Sequence, residues 1–302
     1  MRRTVLSSAF ACFLVAGVLA AGRPATCRAA EFQLLFLDDL FHPFQVDESR
    51  NPWEARLETD RHDFTQSPLT VGRGVGLVEM GYTYFYKDTE TETESSHTTP
   101  ELLCRFGVTE DIEFRVRWNY AWSTIDPANQ ETEYLDGAED FRWGLKLAAT
   151  EQEFLIPESA VELISTVPTG GDAWTTDRVE FGFHYIYSWQ LAECWNLAGS
   201  SGLSTQGLGD FGLLPEEPAS DRYLVWSQSV ALGYELTERN TMYAEWYGLF
   251  SHALEDEFSM SIFNIGIDHY ITDDLVIDFR VGKGLTEDAD DFFAGVGGGF
   301  RF

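Results

Sequence analysis

Five cations recur at alternate positions in three consecutive segments: Arg105, then Arg115 and Arg117, then Arg142 and Lys146. Four carboxylates, Glu79, Glu101, Glu113 and Asp140, share their parity within these segments and the one before. Residues two apart in a strand face the same way, so all nine belong to one wall if the segments are extended. The other face of the third segment is Ile112, Phe114, Val116, Trp118, Tyr120 and Trp122. A charged face backed by an aromatic one separates water from something apolar. Its chemistry is either ion pairing within a crowded interior or a ladder that guides a solute. Arg178 and His184 occupy the matching face of a later segment, opposite Val179, Phe181, Phe183, Tyr185, Tyr187 and Trp189.

Catalysis finds no support. His184 and Ser188 share a face, but four residues along a strand is about 13 Å, too far for a hydrogen bond. The His-x-Ser-Asn-Gly stretch of twelve-stranded outer-membrane phospholipases does not occur. His97 and His252 fall near loop ends without a matched nucleophile, His42, His62 and His269 have no metal-ligand spacing, and no metal or cofactor is expected. The acidic loops, Asp88 to Glu94 and Glu287 to Asp291, could meet divalent cations. The second lacks the glycine and terminal glutamate of an EF-hand.

The elements that must position the charged wall follow from the whole chain. Its 302 residues carry a net charge of -30, 15% aromatics and a mean hydropathy of -0.19. That acidity excludes a nucleic-acid partner. No apolar run of 18 residues follows residue 30, so no transmembrane helix is expected there. A membrane barrel remains compatible, because only alternate strand residues face lipid.

Residues 1–30 read as a secretory signal: Arg2 and Arg3, then an apolar stretch from Val5 to Ala21, then small residues near Cys27 to Ala30. Residues 31–71 alternate poorly and read as a periplasmic N-terminal arm, free or packed into the barrel mouth. Phe32, Leu35, Phe36 and Leu40 suggest a short amphipathic helix within it. Beyond the signal only Cys104 and Cys194 remain, so at most one bridge forms between them.

From residue 72 to 302 the chain falls into alternating segments near 74–87, 97–108, 112–122, 138–150, 157–167, 177–190, 193–205, 223–235, 240–251, 258–270, 274–284 and 291–302. The fold class is therefore all-β: a transmembrane, antiparallel, up-and-down barrel of about twelve strands. Links after even-numbered segments are mostly short, such as Thr109-Glu110-Asp111. Those after odd-numbered segments are mostly longer and acidic, as in outer-membrane barrels with short periplasmic turns. In the last segment Phe292, Ala294, Val296, Gly298, Phe300 and Phe302 face one way, and Phe293, three glycines and Arg301 the other. The ending Gly297-x-x-Phe300-x-Phe302 resembles the C-terminal signal that bacterial barrel-assembly machinery reads.

Glu58-Thr-Asp-Arg-His-Asp-Phe-Thr-Gln-Ser-Pro-Leu-Thr-Val71, then Gly81-Tyr-Thr-Tyr84, resembles the opening of an outer-membrane transporter family named for the phenol meta-cleavage pathway. His62 stands where that family has proline. Pro168-Thr169-Gly170 resembles a strand-end motif of the same family. The resemblance implies an outer-membrane barrel that passes small molecules, with hydrophobic or aromatic solutes as the suggested cargo. The contrasting expectation is a non-transporting structural or adhesive barrel that uses its acidic loops.

A three-residue turn at Thr109 to Asp111 pairs residues whose numbers sum to 220. Arg105 then faces Arg115, with Glu113 and Arg117 diagonal. Glu101 falls near Arg117. With Arg142 and Lys146 added, the wall is expected to stay basic and any pore to prefer anions.

Overall fold

The computed structural model describes residues 51–61, 64–205, 225–251 and 258–302. The expected leader and short helix lie outside these residues. Among the described residues there is no helix. The strands are β1 (Gly76–Asp88), β2 (Glu92–Gly107), β3 (Ile112–Pro127), β4 (Glu133–Ala138), β5 (Phe141–Thr150), β6 (Glu158–Val167), β7 (Glu180–Ala192), β8 (Trp195–Ser204), β9 (Val225–Thr237), β10 (Asn240–Ser251), β11 (Phe258–Thr272), β12 (Leu275–Gly284) and β13 (Phe292–Arg301).

Each strand of the barrel pairs antiparallel with its neighbours, and β1 meets β13 to close the sheet. All twelve expected strands form the wall. Closure removes the sheet edge that a soluble protein would have to protect. The seam ends on Phe302, whose N–H donates to the Gly76 carbonyl at 2.8 Å while the Gly76 N–H donates back at 2.9 Å. Large apolar side chains stand exposed on the outer face, among them Met80, Phe106, Phe181, Trp226, Phe279, Val296 and Phe300. The inward positions hold Glu79, Arg105, Glu113, Arg115, Lys146, Glu162 and Glu245, all buried. This inversion of a soluble protein's pattern requires lipid outside and a polar lumen within.

The thirteenth strand is an addition. The segment from Ser123 to Gly137, expected as a loop, instead continues β3 to Pro127 and returns as β4, pairing Ile125 with Glu133 through Tyr120 with Ala138. The expected Asp88–Ser96 loop is a tight hairpin, with the Thr89 N–H donating to the Glu92 carbonyl at 2.8 Å. Both stretches are polar on both faces, so they lack the alternation that marks a membrane span. They extend the wall beyond the apolar belt.

The β2–β3 register agrees with the sequence up to Leu102. Arg105 pairs with Arg115, Leu103 with Arg117 and Leu102 with Trp118. A bulge between Thr99 and Leu102 then shifts it by one. Glu101 sits in that bulge with φ of 46°. Its carboxylate therefore points away from the position the simple register gave it.

Candidate functional site: the lumen and its arm

Residues 57–61 and 64–71 do not hang free of the barrel. Leu57, Thr59, Asp60, Arg61, Thr65 and Gln66 are buried against the inner wall. The family-like stretch is thus a plug that fills one side of the lumen. It makes little regular structure because its backbone bonds go to wall side chains. Glu79 accepts the N–H groups of Asp60 and Arg61, both at 2.8 Å. Glu113 accepts from Val71 at 2.9 Å and Glu245 from Phe64 at 3.2 Å.

Asp60 is the hub. Its Oδ2 lies 2.7 Å from Lys146 Nζ, 2.9 Å from Arg115 Nη2 and 3.3 Å from Arg105 Nη1. Its Oδ1 accepts the Ser67 N–H at 2.8 Å, which curls the arm around it. Burial raises the Asp60 pKa, but Arg105, Lys146 and Arg115 together outweigh burial and hold it well below the usual carboxylate range. Lys146 also donates to the Ser67 carbonyl at 2.7 Å, and Arg105 to the Glu58 carbonyl at 2.8 Å.

Arg61 makes the second anchor. Its guanidinium is held between Glu101, at 2.5 Å, and Asp278. It lies flat over two glycines. A β-carbon on Gly81 would come within 2.2 Å of Arg61 Nη1, and one on Gly297 within 2.2 Å of Nη2. A third lumen-facing glycine, Gly299, leaves room for Thr59. The glycine face of the last strand is therefore a groove shaped for the arm.

The wall residues singled out by sequence thus divide into three groups. Glu79, Arg105, Glu113, Arg115 and Lys146 bind the arm. Glu101 binds Arg61 rather than Arg117. Arg117 donates to the Asp60 carbonyl at 3.1 Å, and with Arg142 and His184 it borders open space in the lumen. Arg178 pairs locally with Glu180 at the rim. Asp140 leaves the wall altogether: it accepts N–H groups from Thr169, Gly170 and Thr176, each at 3.0 Å, and so folds the Pro168-Thr169-Gly170 loop around itself. Phe300 and Phe302 stack 6.0 Å apart on the outer face. Cys104 is free, so the one bridge the mature chain allows, to Cys194, does not form.

The expectation of a basic wall is corrected by residues it left out. Around Arg105, Arg115 and Lys146 stand four carboxylates: Glu79, Glu113, Asp60 of the arm, and Glu162, 3.1 Å from Arg115. Asp60 and Glu162 lie 55 and 47 residues from Arg115 in sequence; the arm brings the first near, and the β3–β5–β6 pairing brings the second. Among the described residues no cluster of three metal-ligating side chains forms.

Space remains on the side opposite the arm, where the wall is built of small residues: Ala198, Ser200, Ser227, Ser229 and Ala231. One chamber of about 320 Å³ opens toward the short turns, beside Ser188, Asn196 and Gly233. Another of about 100 Å³ lies toward the long loops, beside Arg117, Ser200 and Ser227. Gln66 borders both. Above the second chamber, Phe85, Leu249, Met260, Ile262 and Phe293 form an inward apolar cluster with Phe64 and Tyr247 packed against it. Phe64 stacks on Tyr247 with centroids 4.7 Å apart and meets Phe293 edge-on at 6.1 Å.

A model of the family described as "Putative MetA-pathway of phenol degradation" matches residues 59–302. The chain belongs to that family. The match begins at Thr59, within the arm, so arm and barrel are one family unit. Among solved structures the chain is similar to the COG4313 outer membrane channel from Pseudomonas putida F1. The likeness has a TM-score of 0.61 at 12% identity, covering 81% of this chain and 100% of that one. It is also similar to the translocator domain of autotransporter NalP from Neisseria meningitidis, at a TM-score of 0.47 and 13% identity over 76% and 89% of the two chains. No curated protein matches.

The apolar cluster at the long-loop end reaches Ala289, in the connection before β13. The adjacent Asp290 has its pKa raised to about 7, by burial first, with Lys87 opposing and Glu94 and Asp291 adding. A carboxyl whose pKa rises on folding binds its proton more tightly when folded. This connection is therefore most stable below about pH 4 and loosens as pH climbs toward 7. The Ala289 N–H, which donates to Thr286 at 3.2 Å, should lose protection between pH 5 and 8 beyond its intrinsic exchange. Asp290→Asn should remove that pH dependence; an unchanged profile would assign it to another group.

Proposed function

We propose that this protein is an outer-membrane channel through which small apolar or aromatic molecules pass passively. The observation that carries the reading is the pair of chambers flanking Gln66, on the side of the lumen that the arm leaves open. Family membership and a fold shared with an outer membrane channel support it. The aromatic cluster around Phe64, Tyr247 and Phe293 gives ring-shaped solutes a favourable surface at the long-loop mouth. The short turns then lie in the periplasm, and Phe302, exposed beside the seam, is the residue that barrel-assembly machinery would read.

The test is solute flux into proteoliposomes followed by swelling. The native barrel should admit small neutral solutes. Gln66→Trp should cut the rate at least fivefold, because the larger ring fills the point that both chambers share. The folded barrel should form equally in both, as judged by heat-modifiable migration. A native barrel that admits nothing would overturn the reading.

A further inference from the structure

Phe64 puts a ring of the arm among residues that stand on the barrel wall: Phe85 on β1, Tyr247 on β10, Arg280 on β12 and Phe293 on β13. The ring stacks on Tyr247 with centroids 4.7 Å apart and meets Phe293 edge-on at 6.1 Å. Arg280 Cζ lies 5.4 Å from the Phe64 centroid and 5.5 Å from that of Phe293. Both distances fall within the reach of a cation–π contact, about 6 Å. The guanidinium is fixed in that position. Its Nη2 donates to the Thr83 hydroxyl at 2.9 Å and lies 3.7 Å from Glu101 Oε1. Two glycines make room for these groups. A β-carbon on Gly282 would come within 2.3 Å of the Phe293 ring, and one on Gly295 within 3.0 Å of Arg280 Nε. The nest is thus built into the wall, and its occupant comes from the arm.

Phe64 is only partly buried, whereas Phe85 and Phe293 are buried. It borders the chamber of about 100 Å³ toward the long loops, as do Phe85, Tyr247 and Arg280. Its backbone is held separately, because the Phe64 N–H donates to Glu245 at 3.2 Å.

We propose that this nest is a binding site for one aromatic ring of a passing solute, and that Phe64 is its resident occupant, displaced when the solute binds. The inference rests on the passage reading above and names the site and the chemistry that selects the solute. Rotation about χ1 takes the Phe64 ring toward the chamber while Glu245 keeps its backbone in place. The incoming ring then stacks on Tyr247 and meets Phe293 edge-on. A guanidinium is attracted to the negative face of an aromatic ring and has no such attraction to a saturated one. Arg280 therefore sorts rings by their π electrons rather than by their size. Because Phe64 fills the nest at rest, solutes bind more weakly by the fraction of time that the nest stands open.

The experiment uses the full chain, folded in detergent for binding and reconstituted in proteoliposomes for swelling. The probes are benzyl alcohol and cyclohexylmethanol, which share a six-membered ring and a hydroxymethyl group, compared at matched free concentrations. Binding is read from the methyl resonances of Met260 and Ile262, both buried in the cluster. Benzyl alcohol should bind Phe64→Ala about tenfold or more tightly than it binds the native barrel. Cyclohexylmethanol should bind that variant about fivefold or more weakly than benzyl alcohol. Adding Arg280→Gln should bring the two affinities to within about twofold, and Glu101 keeps Arg61 as its cation. If Phe64→Ala does not fold, the native barrel gives the same comparison: benzyl alcohol should shift these resonances at lower concentration than cyclohexylmethanol. Equal binding of the two probes, or benzyl alcohol binding that Phe64→Ala leaves unchanged, would overturn the nest. Swelling of native proteoliposomes in small neutral solutes would leave passage intact in that case. A native barrel that gives no swelling would overturn passage, and with it the nest as part of a solute's path.

Discussion

Asp60→Asn releases the arm and opens the lumen. The substitution keeps the shape of the side chain and removes one charge from beneath Arg105, Arg115 and Lys146, whose nitrogens stand 3.3, 2.9 and 2.7 Å from it. Glu79, Glu113 and Glu162 remain, but their ion pairs go to Arg105 and Arg115, and Lys146 loses the carboxylate it meets at 2.7 Å. Breaking a buried ion pair by removing one partner costs about 3–5 kcal/mol. Applied to docking of the arm, that is a shift of about a hundredfold to a few thousandfold toward the undocked state. The wall pairs through backbone hydrogen bonds and stays closed. Single-channel conductance should therefore rise several-fold, and trypsin should cut after Arg56 or Arg61 in folded, reconstituted barrels where the native protein resists. Glu54→Gln, an exposed change on the same segment, should do neither. Unchanged conductance and resistance in Asp60→Asn would mean that apolar contacts, such as Phe64 on Tyr247, hold the arm without the hub.

Gly81→Val should act on the same arm through shape alone. The nearest atoms to a β-carbon there are Arg61 Nη1, Cζ and Nε, at 2.2, 2.4 and 2.9 Å, all at the end of one flexible side chain. Strand β1 accepts valine readily, and its pairing with β13 at Gly297 makes no demand on the side chain. Arg61 must leave, which strands Asp278 as a buried carboxylate without its cation and leaves Glu101 to Arg280, 3.7 Å away. The loss should equal or exceed that of Arg61→Ala measured alone. In the double variant Gly81→Val with Arg61→Ala, the second change should add almost nothing, because the interaction is already gone. Additive losses in the unfolding midpoint would show that valine harms the strand itself, and that the glycine is not there for the arginine.

Much of the barrel could be read from alternation. Phe114, Val116 and Trp118 against Glu113, Arg115 and Arg117 give the period of a strand and the two solvents it separates. The same alternation, with a three-residue turn, places Arg105 opposite Arg115. The polar extensions of β2 and β3 and the short β4 escaped because Glu92 to Ser96 and Ser123 to Pro127 rise beyond lipid, where neither face need be apolar. The site was only half visible. Its wall charges announced themselves, but their partners lie far off in sequence: Asp60 is 86 residues from Lys146, and Arg61 is 217 from Asp278. The arm has no period because its backbone bonds to side chains, a pattern that leaves no mark on spacing. The glycines of the last strand were visible as a face. Their purpose depends on a guanidinium that composition alone could not bring to them.

The anchors of the arm are spread over β1, β2, β3, β5, β10 and β12, on both sides of the seam where the first strand meets the last. Neither Arg61 nor Asp60 has a finished site until Asp278 and Glu79 stand beside one another in a completed ring. The arm precedes every strand among the described residues, yet it is the last piece that can come to rest. Contacts of such long sequence separation form late in folding. Until then an uncommitted barrel carries its cations and carboxylates in an interior still wet enough to tolerate them. Insertion of the arm then marks completion: a ring that has closed out of register cannot bury it.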